Sequence, residues 1–122
     1  MKTTTLQLLP TTTFGTPSGN YDGSSLDFAG DRQQAANYYG GFGSLQTIAF
    51  FLSNFNGLIE IQGTLDSDPT LDSEWFKTYE FDTASSEVTT NFSTNITGNF
   101  TWIRARVVNF VNGNIEKVMM SY

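Results

Sequence analysis

Two residue types that carry much of enzyme chemistry are missing from this 122-residue chain, which contains neither cysteine nor histidine. Without cysteine there are no disulfides, no thiolate nucleophiles and none of the common zinc sites. Without histidine the chain lacks the commonest general base and the commonest neutral metal ligand. Serine-type catalytic triads and histidine-based metal sites are therefore excluded, and we assign no catalytic, cofactor-binding or metal-binding residue.

Basic residues and long apolar runs are also scarce. Six Lys and Arg residues stand against twelve Asp and Glu residues, which gives a formal net charge of −6 at pH 7. A general phosphate-binding role would have to work against that field, so we expect no nucleic-acid partner. No apolar run approaches the roughly 18 residues of a membrane-spanning helix. Residues 1–10 are also a poor match to a signal peptide, so no membrane partner is expected.

Aromatic residues, by contrast, are abundant, with eleven Phe, five Tyr and two Trp. They alternate with Thr, Ser and Asn, which is the period-two pattern of strands that have one buried and one exposed face. A chain of this length has room for one core. The sequence predicts an all-β fold, a single antiparallel β-sandwich (jelly-roll-like) over residues 25–122. It is preceded over residues 1–24 by an N-terminal strand, Thr3 to Leu9, and an extended Thr/Gly/Pro-rich arm.

The central prediction concerns residues 45–65, which have the pattern of two strands. Asn54-Phe55-Asn56-Gly57 supplies the backbone freedom of a hairpin turn between them. A second hairpin turn is predicted at Asn112-Gly113-Asn114. One sandwich core is expected from the inward residues of these strands, namely Ile48, Phe50, Leu52, Ile59, Ile61 and Leu65 packed against Trp75, Ile103, Ala105 and Val107.

Five aromatic residues in loop-like segments are candidate partner contacts. Phe14 and Tyr21 lie in the arm, where large rings would be odd choices for a purely solvated linker. Tyr38, Tyr39 and Phe42 are interleaved with glycines, which is typical of an irregular loop whose rings either cover the core or meet a partner. Homo-oligomeric contacts are also expected, because exposed sheet edges must be either protected or used.

An acidic segment at residues 66–74 raises the question of a calcium site, since it holds four carboxylates and calcium prefers six to eight oxygen ligands. Its spacing does not match an EF-hand loop, because Leu71 occupies the position of the expected glycine. A solvated turn is the simpler interpretation.

Several strand and turn signatures between residues 45 and 122 resemble the small β-sandwich virion structural proteins of tailed phages, and those of marine cyanophages most closely. The signatures are residues 55–65, Pro69, Glu74-Trp75-Phe76, residues 97–105 and residues 113–118. The resemblance implies a non-enzymatic role in the particle, and it implies that Trp75, Phe76 and Trp102 mark the sandwich core. It brings no ligand site with it.

The resulting functional hypothesis is a capsid decoration (cement) protein that binds other virion proteins through its arm and loops. Its expected localisation is the virion, assembled in the host cytoplasm. The alternative is a carbohydrate-binding β-sandwich module of a tail or fibre appendage, with Tyr38, Tyr39, Phe42 or Trp102 as stacking surfaces. An enzyme is the third class, and its chemistry would have to use carboxylates, Lys, Tyr or Ser without His or Cys.

Overall fold

The computed structural model of the chain describes residues 5–38 and 43–122. These residues form one eight-stranded sheet in which every strand pairing is antiparallel, and a 3-10 turn lies at Asp72–Glu74. The all-β prediction is therefore confirmed. The strands are β1 (Thr5–Leu9), β2 (Thr12–Thr13), β3 (Phe28–Ala29), β4 (Gln33–Gln34), β5 (Leu45–Thr64), β6 (Phe76–Asp82), β7 (Val88–Thr97) and β8 (Trp102–Ser121).

Two long strands, β5 and β8, organise the fold. Each is 20 residues long, and they pair from Thr47 opposite Ser121 to Thr64 opposite Trp102. Register shifts occur only near the middle of this ladder. Every other strand of the sheet pairs with the outer side of either β5 or β8.

Both predicted hairpin turns are wrong, because β5 and β8 each continue through them as one strand. The residues do supply unusual backbone geometry, since Asn54, Asn109 and Gly113 have φ values of 51°, 58° and 90°. They lie opposite one another, with Asn56 facing Asn112 across the ladder. Positive-φ residues of this kind form bulges, which bend the two paired strands together instead of reversing either of them.

The bend also changes which residues of β5 point inward. Before it the buried residues are even-numbered, such as Ile48, Phe50 and Leu52, and after it they are odd-numbered, such as Ile59 and Ile61. A bulge produces this switch because side chains alternate with period two and one extra residue shifts the alternation. One continuous sheet is thereby folded into two layers that share β5 and β8.

The first layer contains β7, the first half of β5, the second half of β8, and β1 with β2. The second layer contains β6, the second half of β5, the first half of β8, and β3 with β4. The layers face each other, because the ring of Phe50 on β5 lies 5.9 Å from that of Tyr79 on β6. The ring of Phe92 on β7 lies 4.9 Å from that of Phe81 on β6. The arrangement is that of a β-sandwich.

Most of the predicted core is confirmed. Ile48, Phe50, Leu52, Ile59, Ile61, Ile103, Ala105 and Val107 are all buried. Leu65 is an exception and is exposed, since it follows the last residue of β5 and neither layer covers it there. Trp75 and Trp102 are only partly buried, so they lie at the margin of the core and not inside it.

The structure has a strand, β1, where the N-terminal strand is predicted, and the predicted arm that follows it is folded against the sandwich. β1 pairs with the end of β8, from Thr5 opposite Ser121 to Leu9 opposite Val118. β2 pairs with the middle of β8, and its Thr12 is completely buried. This segment therefore belongs to the first layer.

Candidate functional site

The five candidate partner contacts fall in different environments. Phe14 is 43% exposed and its ring meets that of Phe110 edge-on, with 5.6 Å between ring centroids. Tyr38 packs against the ring of Trp102 at 4.9 Å. Tyr39 and Phe42 lie outside the described residues. The structure thus brings no two of the described candidates together on one surface.

Tyr21 lies in the core. It is 1% exposed, and its ring packs 4.9 Å from Phe28 and 5.2 Å from Phe110. Its hydroxyl oxygen accepts a hydrogen bond from the backbone N–H of Gly15 at 3.0 Å. A ring placed in this way holds residues 15–21 against the sandwich and has almost no surface to offer a partner.

Three exposed apolar residues lie in the backbone segments around Phe110, at the bend of the sandwich, and we call them the bend patch: Phe14, Leu26 and Val111. Their exposed fractions are 43%, 50% and 39%. The backbone N–H of Phe14 donates to Gly113 O, and the N–H of Phe110 donates to Leu26 O, both at 2.9 Å. Backbone hydrogen bonds therefore hold the segments that carry Phe14 and Leu26 against β8, close to Val111.

Sequence reasoning found Phe14 but missed Leu26 and Val111. A usable signal was present, because Leu26 follows a Ser-Ser pair and Val111 precedes Asn112-Gly113. Large apolar residues beside turn-forming residues are poorly placed to be covered by a strand. What the sequence does not show is that two such positions, far apart in the chain, lie next to each other.

The turn before Leu26 is fixed by the carboxylate of Asp22. One of its oxygens accepts the backbone N–H groups of Ser24 and Ser25 at 2.8 and 2.7 Å, and the other accepts the Ser25 hydroxyl at 2.7 Å. These donors favour the ionised carboxylate, with the Ser24 N–H contributing most, and they lower the pKa of Asp22 from 3.8 to about 2. The turn therefore keeps its anchor in mildly acidic solution.

We expect the order of this turn to be lost as the pH falls through about 2. The sign follows from a folded-state pKa below the unfolded value, since such a group contributes order above the unfolded pKa and loses it as the folded pKa is crossed. An NMR titration of the Asp22 carboxyl carbon measures the midpoint directly. Ser25→Ala should raise the midpoint toward 3.8 without reaching it, because both backbone donors remain. A wild-type midpoint near 3.8 would contradict the prediction.

A second candidate surface is the cleft between the acidic loop and the start of β8. It has a volume of about 240 Å³. The guanidinium of Arg104 lies 4.4 Å from the ring centre of Trp75 and pairs with Asp72 at 3.1 Å. Its Nε also donates to Gln62 Oε1 at 2.7 Å, and the side chain is only 13% exposed. Arg104 therefore fastens the acidic loop to the sheet.

The neighbouring arginine repeats this arrangement. The guanidinium of Arg32 lies 4.4 Å from the ring centre of Trp102 and pairs with Asp68 at 3.0 Å. The indole N–H of Trp102 donates to Ser67 O at 2.9 Å, and Tyr38 packs on the same indole. With Arg32 and Tyr38 both in contact, Trp102 offers little open ring surface for stacking on a sugar.

The carboxylates of the acidic loop form hydrogen bonds and ion pairs with other groups of the same chain. Asp68 and Asp72 pair with the two arginines. Glu74 accepts the backbone N–H groups of Thr70 and Leu71, and Asp66 accepts that of Asp68. In the part of the chain that the structure describes, no three acidic side chains are grouped in a way that suits a metal ion.

Within residues 5–38 and 43–122, no helix has the length and apolar character needed to cross a membrane. Comparisons of the chain with protein-family models, with curated proteins and with solved structures found no match.

Proposed function

We propose that the chain is a non-enzymatic structural protein of a tailed-phage particle, and that it decorates the capsid by docking through the bend patch. The observation that carries this proposal is the exposure of Phe14, Leu26 and Val111, which lie in segments that backbone hydrogen bonds join at the bend. Clustered exposed apolar side chains are typical of protein contacts. The resemblance of residues 45–122 to small virion β-sandwich proteins supports a virion protein as the partner.

The contacts that hold the backbone of the bend patch support docking of a folded partner. Phe14 is held by a backbone hydrogen bond to Gly113 and by ring packing on Phe110, and Leu26 is held by its carbonyl. Side chains ordered before binding lose little conformational entropy when a partner arrives. The site therefore suits a permanent contact on a particle that is assembled in the host cytoplasm.

Binding to purified capsids that lack this protein tests the proposal. We expect a variant with Phe14→Ser, Leu26→Ser and Val111→Ser to lose at least about tenfold in affinity for the capsid in a co-sedimentation assay, because apolar anchors dominate such interfaces. The matched control replaces Phe76, Leu65 and Leu71 with Ser, three exposed apolar residues away from the bend. The control should bind as the wild type does.

Electron microscopy of particles provides the second readout. We expect additional density that repeats with the capsid lattice, with the bend patch facing the shell. Equal loss of binding in the two triple variants would contradict docking through the bend patch. Absence of the protein from purified particles would overturn the virion assignment, and binding to an immobilised glycan would favour the carbohydrate-binding alternative.

A further inference from the structure

The outer strands of the sheet differ in how well they are protected. Among the described residues, β7 pairs with β5 alone, so one side of its backbone is open to solvent. Within residues 5–38 and 43–122, β6 also pairs with β5 alone, and β1 pairs with β8 alone. A strand open in this way can bind another strand, and natural proteins usually block such edges with charges, proline, bulges or short length.

β6 and β1 carry such protection. β6 has Lys77, Glu80 and Asp82 within seven residues, and a salt bridge of 3.0 Å joins Lys77 to Glu80. The pKa of Lys77 is raised, chiefly by its hydrogen bond to the Glu80 carboxylate. β1 is five residues long, has a register shift between Gln7 and Leu9, and is followed by Pro10.

β7 lacks the charges, the proline and the short length, and its one register shift with β5 lies at its end, between Thr90 and Val88. It is ten residues long, and its sequence VTTNFSTNIT contains no charged residue, no proline and no glycine. Its register with β5 is unbroken from Thr97 opposite Leu45 to Thr90 opposite Leu52. The strand is thus regular along most of its length, which is the geometry that a further strand requires.

We propose that β7 pairs antiparallel with β7 of a second copy of this chain, so that the first layers of the two molecules form one continuous sheet. An antiparallel edge is self-complementary, because the same strand supplies donors and acceptors to both sides of a two-fold axis. The charge distribution also permits a second copy to bind at this edge. Each chain has a net charge of −6, yet the uncharged β7 edges meet without placing like charges opposite each other.

Partly exposed aromatic rings beside the edge add an apolar contribution. Phe92 of β7 packs 4.9 Å from Phe81 of β6, and Tyr79 lies nearby against Phe50. All three of Tyr79, Phe81 and Phe92 are only partly buried in the single chain. The inward side chains of a second β7 would extend over this margin and remove apolar surface from water. This pairing does not depend on the bend patch or on the proposed virion role.

The test is the self-association of the full chain, measured by sedimentation velocity and light scattering. We expect the wild type to form a species of two chains. Ser93→Lys, an exposed change at the centre of β7, should weaken the dimer at least about tenfold, because it places like charges on facing edges. The matched control, Ser73→Lys, makes the same change at an exposed position in the acidic loop and should leave the dimer intact.

Amide hydrogen exchange of the unmodified chain keeps the test independent of how the variants fold. The amides of Val88–Thr97 should exchange more slowly as the protein concentration rises, while those of β6 should not change. The pairing is overturned if the wild type is monomeric up to its solubility limit or forms a trimer. It is equally overturned if Ser93→Lys dimerises as well as the wild type, or if β7 exchange does not depend on concentration.

Discussion

Replacing Gly113 with alanine is expected to destabilise the fold by more than about 4 kcal/mol, at the upper end of what single substitutions do. Gly113 has φ +90°, a conformation that L side chains rarely adopt. A Cβ at this position would overlap the carbonyl carbon and oxygen of Asn54 and lie 2.7 Å from the N of Phe55. Backbone atoms cannot rotate away, so the paired bulges would have to separate. Urea denaturation followed by tryptophan fluorescence measures the loss.

Gly15→Ala is the matched control for this prediction. Gly15 has φ +86°, almost the same as Gly113, but a Cβ there would meet nothing within 4 Å. The free energy of unfolding of Gly15→Ala should therefore fall by only about 1–2 kcal/mol, which is the cost of an L side chain in left-handed backbone. The difference between the two variants isolates the close contact at the bend. Equal losses would mean that the bend tolerates separation of β5 from β8.

Replacing Phe110 with alanine is expected to lower the free energy of unfolding by about 3–5 kcal/mol. Phe110 is fully buried, and its ring lies between 5.2 and 6.0 Å from the rings of Phe14, Tyr21, Phe28 and Phe55. The truncated side chain would leave a cavity that these rings cannot fill without moving. Because three of them come from residues 14–28, that segment should lose protection from amide exchange before the rest of the sandwich does.

Phe76→Ala is the control for the cavity argument. It removes the same atoms from an exposed ring at the start of β6, so the free energy of unfolding should change by no more than about 0.5 kcal/mol. If Phe110→Ala loses exchange protection uniformly over the whole chain, residues 14–28 do not depend on the Phe110 ring more than the rest of the sandwich does. The same experiment therefore measures how firmly the bend patch is attached.

Alternation was enough to predict the sandwich core, because one buried face imposes a period of two on each strand. It was not enough to predict the bend. Asn and Gly supply positive φ both to hairpin turns and to bulges, and which of these forms depends on whether a second strand bends alongside. The one local sign was Phe55, a large apolar residue in the middle of the predicted turn, where Gly, Asn and Asp are preferred. The structure buries its ring completely.

The candidate surfaces were harder to predict than the core. A ring in a Gly- and Pro-rich segment has the same local sequence whether it is exposed, as Phe14 is, or buried, as Tyr21 is. Both rings pack on Phe110, which lies far along the chain, and Tyr21 packs on Phe28 as well. By contrast, the uncharged character of β7 is visible in the sequence, and only its position at an edge required the structure.

The sharing of β5 and β8 by both layers also constrains how the molecule reaches its native state. Of the residue pairs that join the two strands, Thr64 and Trp102 are the closest along the chain, and Thr47 and Ser121 are the farthest apart along it. Every pairing between them closes a long loop, whose entropy is lost before either layer gains its apolar contacts. Chains dominated by such non-local pairing fold on a scale of roughly milliseconds to seconds. Because neither layer has a central strand of its own, we expect one cooperative transition and no half-folded intermediate with a single layer formed.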